Sequence, residues 1–368
     1  MALPEATSRV NEDEPRRVTD YPEGTLGWFV DLVARLEKAQ PELAPDAKNA
    51  LAAATSYRDW LRTIEPTAKG SAAIGLDNFN WYVKHVRLMP YTATEMRTVA
   101  TVEFARARTF LKIEENRNRA LAPVGLASSA EEHERRVRDA ENLIRGFTKD
   151  QKLLTIPSDV GPFPTDAFWR VRPDGHHHFW EELTYRDPPN NHIHASIPGH
   201  MFDREVTRRL PNPIRRAFQD GPRVEGWGFY IEEMYLQAGL LDSRPRAREL
   251  FYVAQLARAA RIPAELRMQT GEYSLQQAID YLIAEVPFME PYLARYDLEI
   301  YLRRPAYGMN YIMGKLQVEQ LVADRARQLG NRFALGAFHD DLLALGWIPL
   351  SLARWEMTGL DDEVKQLW

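Results

Sequence analysis

Apolar residues recur every three to four positions through most of the chain, a period that commits it to α-helices. Thr92-Ala93-Thr94-Glu95 has the form of a capping box, in which each side chain accepts from the other residue's backbone N–H. Met96, Val99, Ala100, Ala107, Phe110 and Leu111 then follow at helical spacing. Ser129 to Glu132 repeats the device before a helix running to about Arg145, and Ser274 to Gln277 repeats it before Ala278, Tyr281 and Leu282. The same period predicts helices over residues 26–39, 47–64, 223–239, 244–260, 307–329, 334–345 and 350–357. Pro263 should kink or end the stretch around it, because it has no N–H and crowds the preceding turn. A mainly α fold is expected.

Residues 156–191 break this pattern, being rich in Pro, Gly, Asp and aromatic side chains. Phe168 to Arg172 reads as a short strand before the turn Pro173-Asp174-Gly175, with His178 to Glu182 returning as its partner. A small β-hairpin is therefore expected near residues 165–185. It separates an N-terminal helical region, 19–155, from a second helical region, 156–368, and the two are expected to form one continuous globular unit. Residues 1–18 are polar and charged, lack the apolar stretch of a signal peptide, and are expected to form a flexible arm.

Composition narrows the function classes. A formal charge of -5 with both signs interleaved gives no basic footprint for nucleic acid. No apolar run approaches the roughly 20 residues that span a bilayer, so no membrane partner is expected. The absence of cysteine excludes disulfides, thiolate ligands and a cysteine nucleophile. A cytoplasmic location is expected, though missing cysteines are equally compatible with export.

Within the second region, His194-Ala195-Ser196-Ile197-Pro198-Gly199-His200 precedes Glu225-Gly226-Trp227-Gly228-Phe229-Tyr230. Two imidazoles and a later helical carboxylate are the donor types of a mononuclear metal site. On a regular helix His194 and His200 would be turned apart by about 240° and separated by about 9 Å of rise. Pro198 removes a helical hydrogen bond and Gly199 admits unusual backbone angles, so a bulged helix could turn both imidazoles to one side. The alternative is that the histidines are polar residues at a helix start and Pro-Gly a simple break. Glu225 falls early in a helix whose Trp227, Tyr230, Ile231 and Met234 imply burial, where an unpaired carboxylate is costly. A metal would explain it, and so would a salt bridge to Arg223. Glu232 lies near the same face, as a site carboxylate or as a solvated or salt-bridged one.

With both pieces in hand, the chain resembles the bacterial domain-of-unknown-function family eight-eight-five, relatives of zinc metallopeptidases of the glutamate-ligand (gluzincin) type. That family's pattern is His-Glu-x-x-Pro-Gly-His, then Glu-Gly-Trp-Ala-Leu-Tyr-x-Glu. His194, Pro198, Gly199 and His200 match the first part, and Glu225, Gly226, Trp227, Tyr230 and Glu232 the second. The likeness continues through Arg258 to Arg261, Gln276 to Leu282, Tyr311 to Lys315 and the tail from Phe338 to Leu350. The resemblance implies a helical metallopeptidase-like fold with His194, His200 and Glu225 as metal ligands, zinc as cofactor and Fe2+ or Mn2+ as alternatives. Three departures stand out. Ala195 replaces the family's general-base glutamate, Gln269-Thr270-Gly271-Glu272-Tyr273 replaces an Asp-Thr-Gly-x-His segment, and Pro263 interrupts a helix usually continuous.

A zinc hydrolase needs an activated water, a base for its proton and a donor for the developing oxyanion. Alanine accepts no proton, and Ser196 is a poor base without a partner. The expected activity is therefore metal-assisted chemistry on a small carboxylate- or carbonyl-containing metabolite: elimination, isomerisation, cyclisation or assisted hydrolysis. Tyr307, Tyr311, Glu232 and His178 are the candidate catalytic residues. Arg258 and Arg261, as a carboxylate clamp, with His176 and Trp227 are the candidate substrate contacts. His176 and His178 would share one strand face, with turn-proximal surface histidines the rival reading. A hydrolase with a base relocated to Glu181, Glu182 or Glu232, a non-haem iron oxygenase and an inactive ligand-binding descendant remain open alternatives.

Overall fold

The computed structural model describes residues 24–67, 71–172 and 175–368. The expected arm at 1–18 and the turn residues Pro173 and Asp174 lie outside the described residues. The fold is mainly α. The chain runs through α1 (Gly24–Ala39), α2 (Ala44–Ile64), α3 (Leu76–His85), α4 (Ala93–Arg117) and α5 (Ala130–Asp150). Next come α6 (Phe179–Arg186), α7 (Pro189–Ala195), α8 (His200–Thr207), α9 (Pro213–Ala217) and α10 (Gly221–Ala238). It ends through α11 (Pro245–Gln269), α12 (Leu275–Glu285), α13 (Pro291–Arg303), α14 (Asn310–Leu329), α15 (Leu335–Ala344), α16 (Leu350–Thr358) and α17 (Asp362–Leu367).

Two of the three capping boxes anticipated from sequence are formed; at Ser129 the hydroxyl accepts from Glu132 N at 3.2 Å, but the Glu132 carboxylate accepts from Ser128 N instead, at 2.8 Å. Thr92 accepts from Glu95 N at 3.3 Å while its own N–H donates to the Glu95 carboxylate at 2.7 Å. Ser274 and Gln277 exchange the same pair at 3.2 and 2.8 Å. Each exchange satisfies two backbone donors that a helix start leaves open.

Two long helices, α10 and α14, set the frame for the site. They cross at glycines: a Cβ on Gly226 would lie 2.4 Å from Gly314 C, and one on Gly314 would lie 2.1 Å from Pro222 O. Only backbone without side chains can approach so closely. α11 packs along α4 and against α12, α13 and α14. One large apolar cluster joins Leu111 and Ile144 to Trp227, Phe251, Leu298 and Leu342, drawing on chain from both sides of residue 156.

Two expectations from sequence are corrected: an end of the helix at Pro263, and the hairpin. Pro263 sits inside α11, which continues to Gln269. Both turns around it are buried, and packing on several sides outweighs the lost hydrogen bond. Among the described residues of 165–185 no strand forms, so the expected hairpin is not borne out. Arg170 N donates to Tyr185 Oη at 2.9 Å and that hydroxyl donates to Phe168 O at 2.6 Å, so a side chain serves the extended segment. The would-be return strand is α6, whose start Glu181 caps by accepting from His178 N at 2.9 Å.

Candidate metal centre

The histidine pair owes its geometry to a complete break between helices, not to a bulge. α7 ends at Ala195, and α8 begins at His200. Gly199 presses on the end of α7, where a Cβ would lie 1.8 Å from His194 O. The link is fastened at two points: Trp227 Nε1 donates to Pro198 O at 2.9 Å, and Ser196 Oγ donates to Pro164 O at 2.7 Å. The break lets His200 double back toward His194, so their rings meet edge to face at 4.5 Å between centres. His194 rests on the backbone of α10, where a Cβ on Gly228 would lie 2.7 Å from its Cε1.

Glu225, on the same helix, faces both rings. Its Oε2 lies 3.5 Å from His194 Nε2 and 3.3 Å from His200 Nε2. One donor atom from each of the three lies within 4.8 Å of the others. Metal–ligand bonds of about 2.0–2.2 Å in tetrahedral array put neighbouring donors about 3.3 Å apart, so these residues fit a zinc-sized ion. Burial pushes the Glu225 carboxyl up, but the two imidazoles outweigh it and hold it well below the usual carboxylate range. His194 is depressed by burial and by Arg258, yet Glu232 and Glu225 prevail and raise it.

Behind the ligands stands a supporting layer. His194 Nδ1 lies 2.6 Å from Glu232 Oε1; the carboxylate favours a proton on Nδ1, which would leave the Nε2 lone pair directed toward an ion. Glu232 in turn pairs with Arg258 at 2.7 Å, both fully buried. Asp203 on α8 and Arg223 on α10 form a second buried pair at 3.0 Å, tying together the helices that carry His200 and Glu225. On the outer side, Tyr307 Oη donates to Glu225 Oε1 at 2.9 Å. The Glu225 charge, then burial, push that phenol well above its ordinary value. Glu265 accepts from Gly308 N at 2.7 Å and so anchors the turn that carries Tyr307; burial pushes its carboxyl up to about 8.

The sequence-based site residues therefore divide. His194, His200 and Glu225 are brought together, Tyr307 touches Glu225, and the Tyr311 ring stacks 6.3 Å from His194. Glu232 is not a free base, because His194 and Arg258 occupy its carboxylate. Arg258 and Arg261 are not a substrate clamp: Glu232 takes the first and Asp297 the second, at 2.6 Å. Trp227 is fully buried and holds the Pro198 carbonyl, out of reach of a substrate. His178 pairs with Glu290 at 3.2 Å and stacks on Tyr292, while His176 is exposed, so neither joins the triad. Glu181 and Glu182 are held by Arg172 and Arg186.

Beside the triad opens a cleft of about 320 Å3, onto which His200, Glu225 and Tyr307 face. Its other walls include residues no sequence motif marks: Arg87, Arg204, Arg304, Asp220 and Trp347. Asp220 caps α10 by accepting from Arg223 N at 2.9 Å, and burial pushes its carboxyl up to about 7. An Asp ahead of Gly-Pro at a helix start is a signal that could have pointed to Asp220 as a cap, though not to its place on the cleft; Arg87, more than a hundred residues from Glu225 in sequence, had none.

A mainly α scaffold bearing a cluster of two histidines and one carboxylate is what fold and geometry describe. The chain belongs to the family described as "bacterial protein of unknown function (DUF885)", whose model matches residues 119–357. Two solved structures share the fold at 17% identity and a TM-score of 0.70. One is described as a "putative lipoprotein of unknown function" from Shewanella oneidensis, covering 97% of this chain and 73% of that one. The other is a "putative lipoprotein" from Colwellia psychrerythraea, covering 92% and 68%. No curated protein matches. No described helix is long and apolar enough to cross a membrane.

Proposed function

We propose that this chain is a metal-dependent enzyme, related to gluzincin-type peptidases, that acts on a small metabolite bearing a carboxylate or carbonyl. The observation that carries the reading is the convergence of His194 Nε2, His200 Nε2 and Glu225 Oε2 at ion-binding separations on a cleft wall. A divalent ion, zinc by its donor set and Fe2+ or Mn2+ as alternatives, supplies Lewis acidity to a carbonyl or carboxylate oxygen. Tyr307 keeps its proton at Oη far into the alkaline range, so it acts as a hydrogen-bond donor or acid, not as a base. Ala195 offers no acceptor beside His194, and Glu181, Glu182 and Glu232 are engaged elsewhere. That inventory favours elimination, isomerisation or cyclisation over ordinary peptide hydrolysis.

A second reading has one observation in its favour. Asp220 lines the same cleft with a carboxyl poised near neutrality, as a relocated general base would be. Zinc-loaded protein assayed on a peptide and ester panel separates the two. The first reading expects background hydrolysis from the native chain and a gain of about 100-fold in Ala195→Glu, the value of a positioned base. Hydrolysis by the native chain that is lost in both His200→Ala and Asp220→Asn would replace the first reading with the second.

A further inference from the structure

The cleft wall away from the triad carries three arginines, Arg87, Arg204 and Arg304. Arg204 and Arg304 are exposed on it, and Arg87 is half-buried. Among the described residues none of the three makes an ion pair. Arg87 has a 3.4 Å hydrogen bond to Pro305 O and lies 5.7 Å from the Tyr82 ring centre; Arg204 sits 5.8 Å from that of Trp347. Arg87 Nε and the Trp347 indole N–H, the latter on a side chain only 4% exposed, are buried with no partner. Elsewhere in this protein buried arginines are matched by carboxylates, as Arg223, Arg258 and Arg261 are. Among the described residues the acids beside these arginines are engaged elsewhere: Glu225 by two imidazoles and Tyr307, Asp220 as a helix cap, and Glu265, which feels the Arg87 charge, by Gly308 N. Three arginines line one cleft without a carboxylate paired to any of them among the described residues, an arrangement suited to an anion.

We propose that this wall is the docking site for a second anionic group on the substrate, a carboxylate or a phosphate. Resting on the metal-site reading above, it narrows the substrate to a small molecule with two acidic ends. One end reaches toward His200, Glu225 and Tyr307, and the other is held by Arg87, Arg204 and Arg304. A cleft of about 320 Å3 falls at the small end of the range for metabolite pockets. Arginine suits the role because its fixed fork of N–H groups matches both anions bidentately.

The test is calorimetric titration of glutarate, butyrate and inorganic phosphate into zinc-loaded and zinc-free protein. Arg204→Gln/Arg304→Gln serves as the variant, since both residues are exposed. Glutarate should bind about 10-fold tighter than butyrate, as expected for one added charge-assisted contact, and the double variant should erase the preference with zinc content unchanged. Phosphate binding tighter than glutarate to the zinc-free protein assigns the wall to a phosphate, and the reverse order assigns it to a carboxylate. Equal affinity for glutarate and butyrate, or a preference that survives the double variant, overturns the inference with or without zinc. A native chain that takes up no zinc but keeps the arginine-dependent preference removes the metal reading and leaves this inference standing.

Discussion

His194 shows how much of a ligand's behaviour is set by what stands behind it. Glu232 at 2.6 Å favours a proton on Nδ1, and Arg258 holds Glu232 in turn. Glu232→Gln keeps the shape but offers a neutral amide, so zinc affinity should drop by about 10- to 100-fold in a competition titration. An unchanged affinity would mean that the carboxylate has no part in the site. His339 carries a different prediction. It donates from Nδ1 to Leu153 O at 2.6 Å and accepts from Tyr230 Oη at 3.0 Å, and burial lowers it from 6.5 to about 4. Between those values the unfolded chain binds a proton that the folded chain refuses, so stability falls as pH drops from 6.5 toward 4. The decline attributable to this residue is about 3 kcal/mol, and His339→Gln should lack it in urea melts compared at neutral and acid pH. Parallel profiles for the two proteins would refute the assignment.

The grouping of His194, His200 and Glu225 was legible in the sequence because two imidazoles, a Pro-Gly break and a buried helical carboxylate each have a chemical reason to be there. Glu232 was singled out by its face of α10 but its partners were not, since spacing along one helix does not say that Arg258, on another, meets it.

Between helices, the site depends on how α7, α8 and α10 are locked together. Asp203 and Arg223 form that lock from fully buried side chains on α8 and α10. Asp203→Asn leaves Arg223 charged and unpaired in the interior, which should cost about 3–5 kcal/mol in urea unfolding. A loss below about 1 kcal/mol, the worth of an exposed pair, would show the lock to be idle. Helix positions were readable wherever a capping box or a long apolar period announced them. The two misreadings share a cause. Local preference favoured a break at Pro263 and a strand at Phe168 to Arg172, and both were overruled by contacts from distant chain: the packing around α11 and the Tyr185 hydroxyl.

Across the whole chain, residues from α3 to α15 meet at one cleft, which is why its arginine wall escaped sequence reading while the triad did not. Arg87 comes from the end of α3, Arg204 from α8 and Arg304 from the end of α13, with no shared spacing to betray them. The fold is shared with chains at 17% identity, so the scaffold alone names no reaction, and the chemistry rests on the side chains at the cleft. Elemental analysis of the native protein beside His194→Ala, His200→Ala and Glu225→Ala therefore decides whether the cluster is a metal centre. About one divalent ion per native chain and a near-complete loss in each variant is the expected outcome for a three-ligand site. Equal metal content in all four proteins, or none in the native chain after zinc loading, would contradict it.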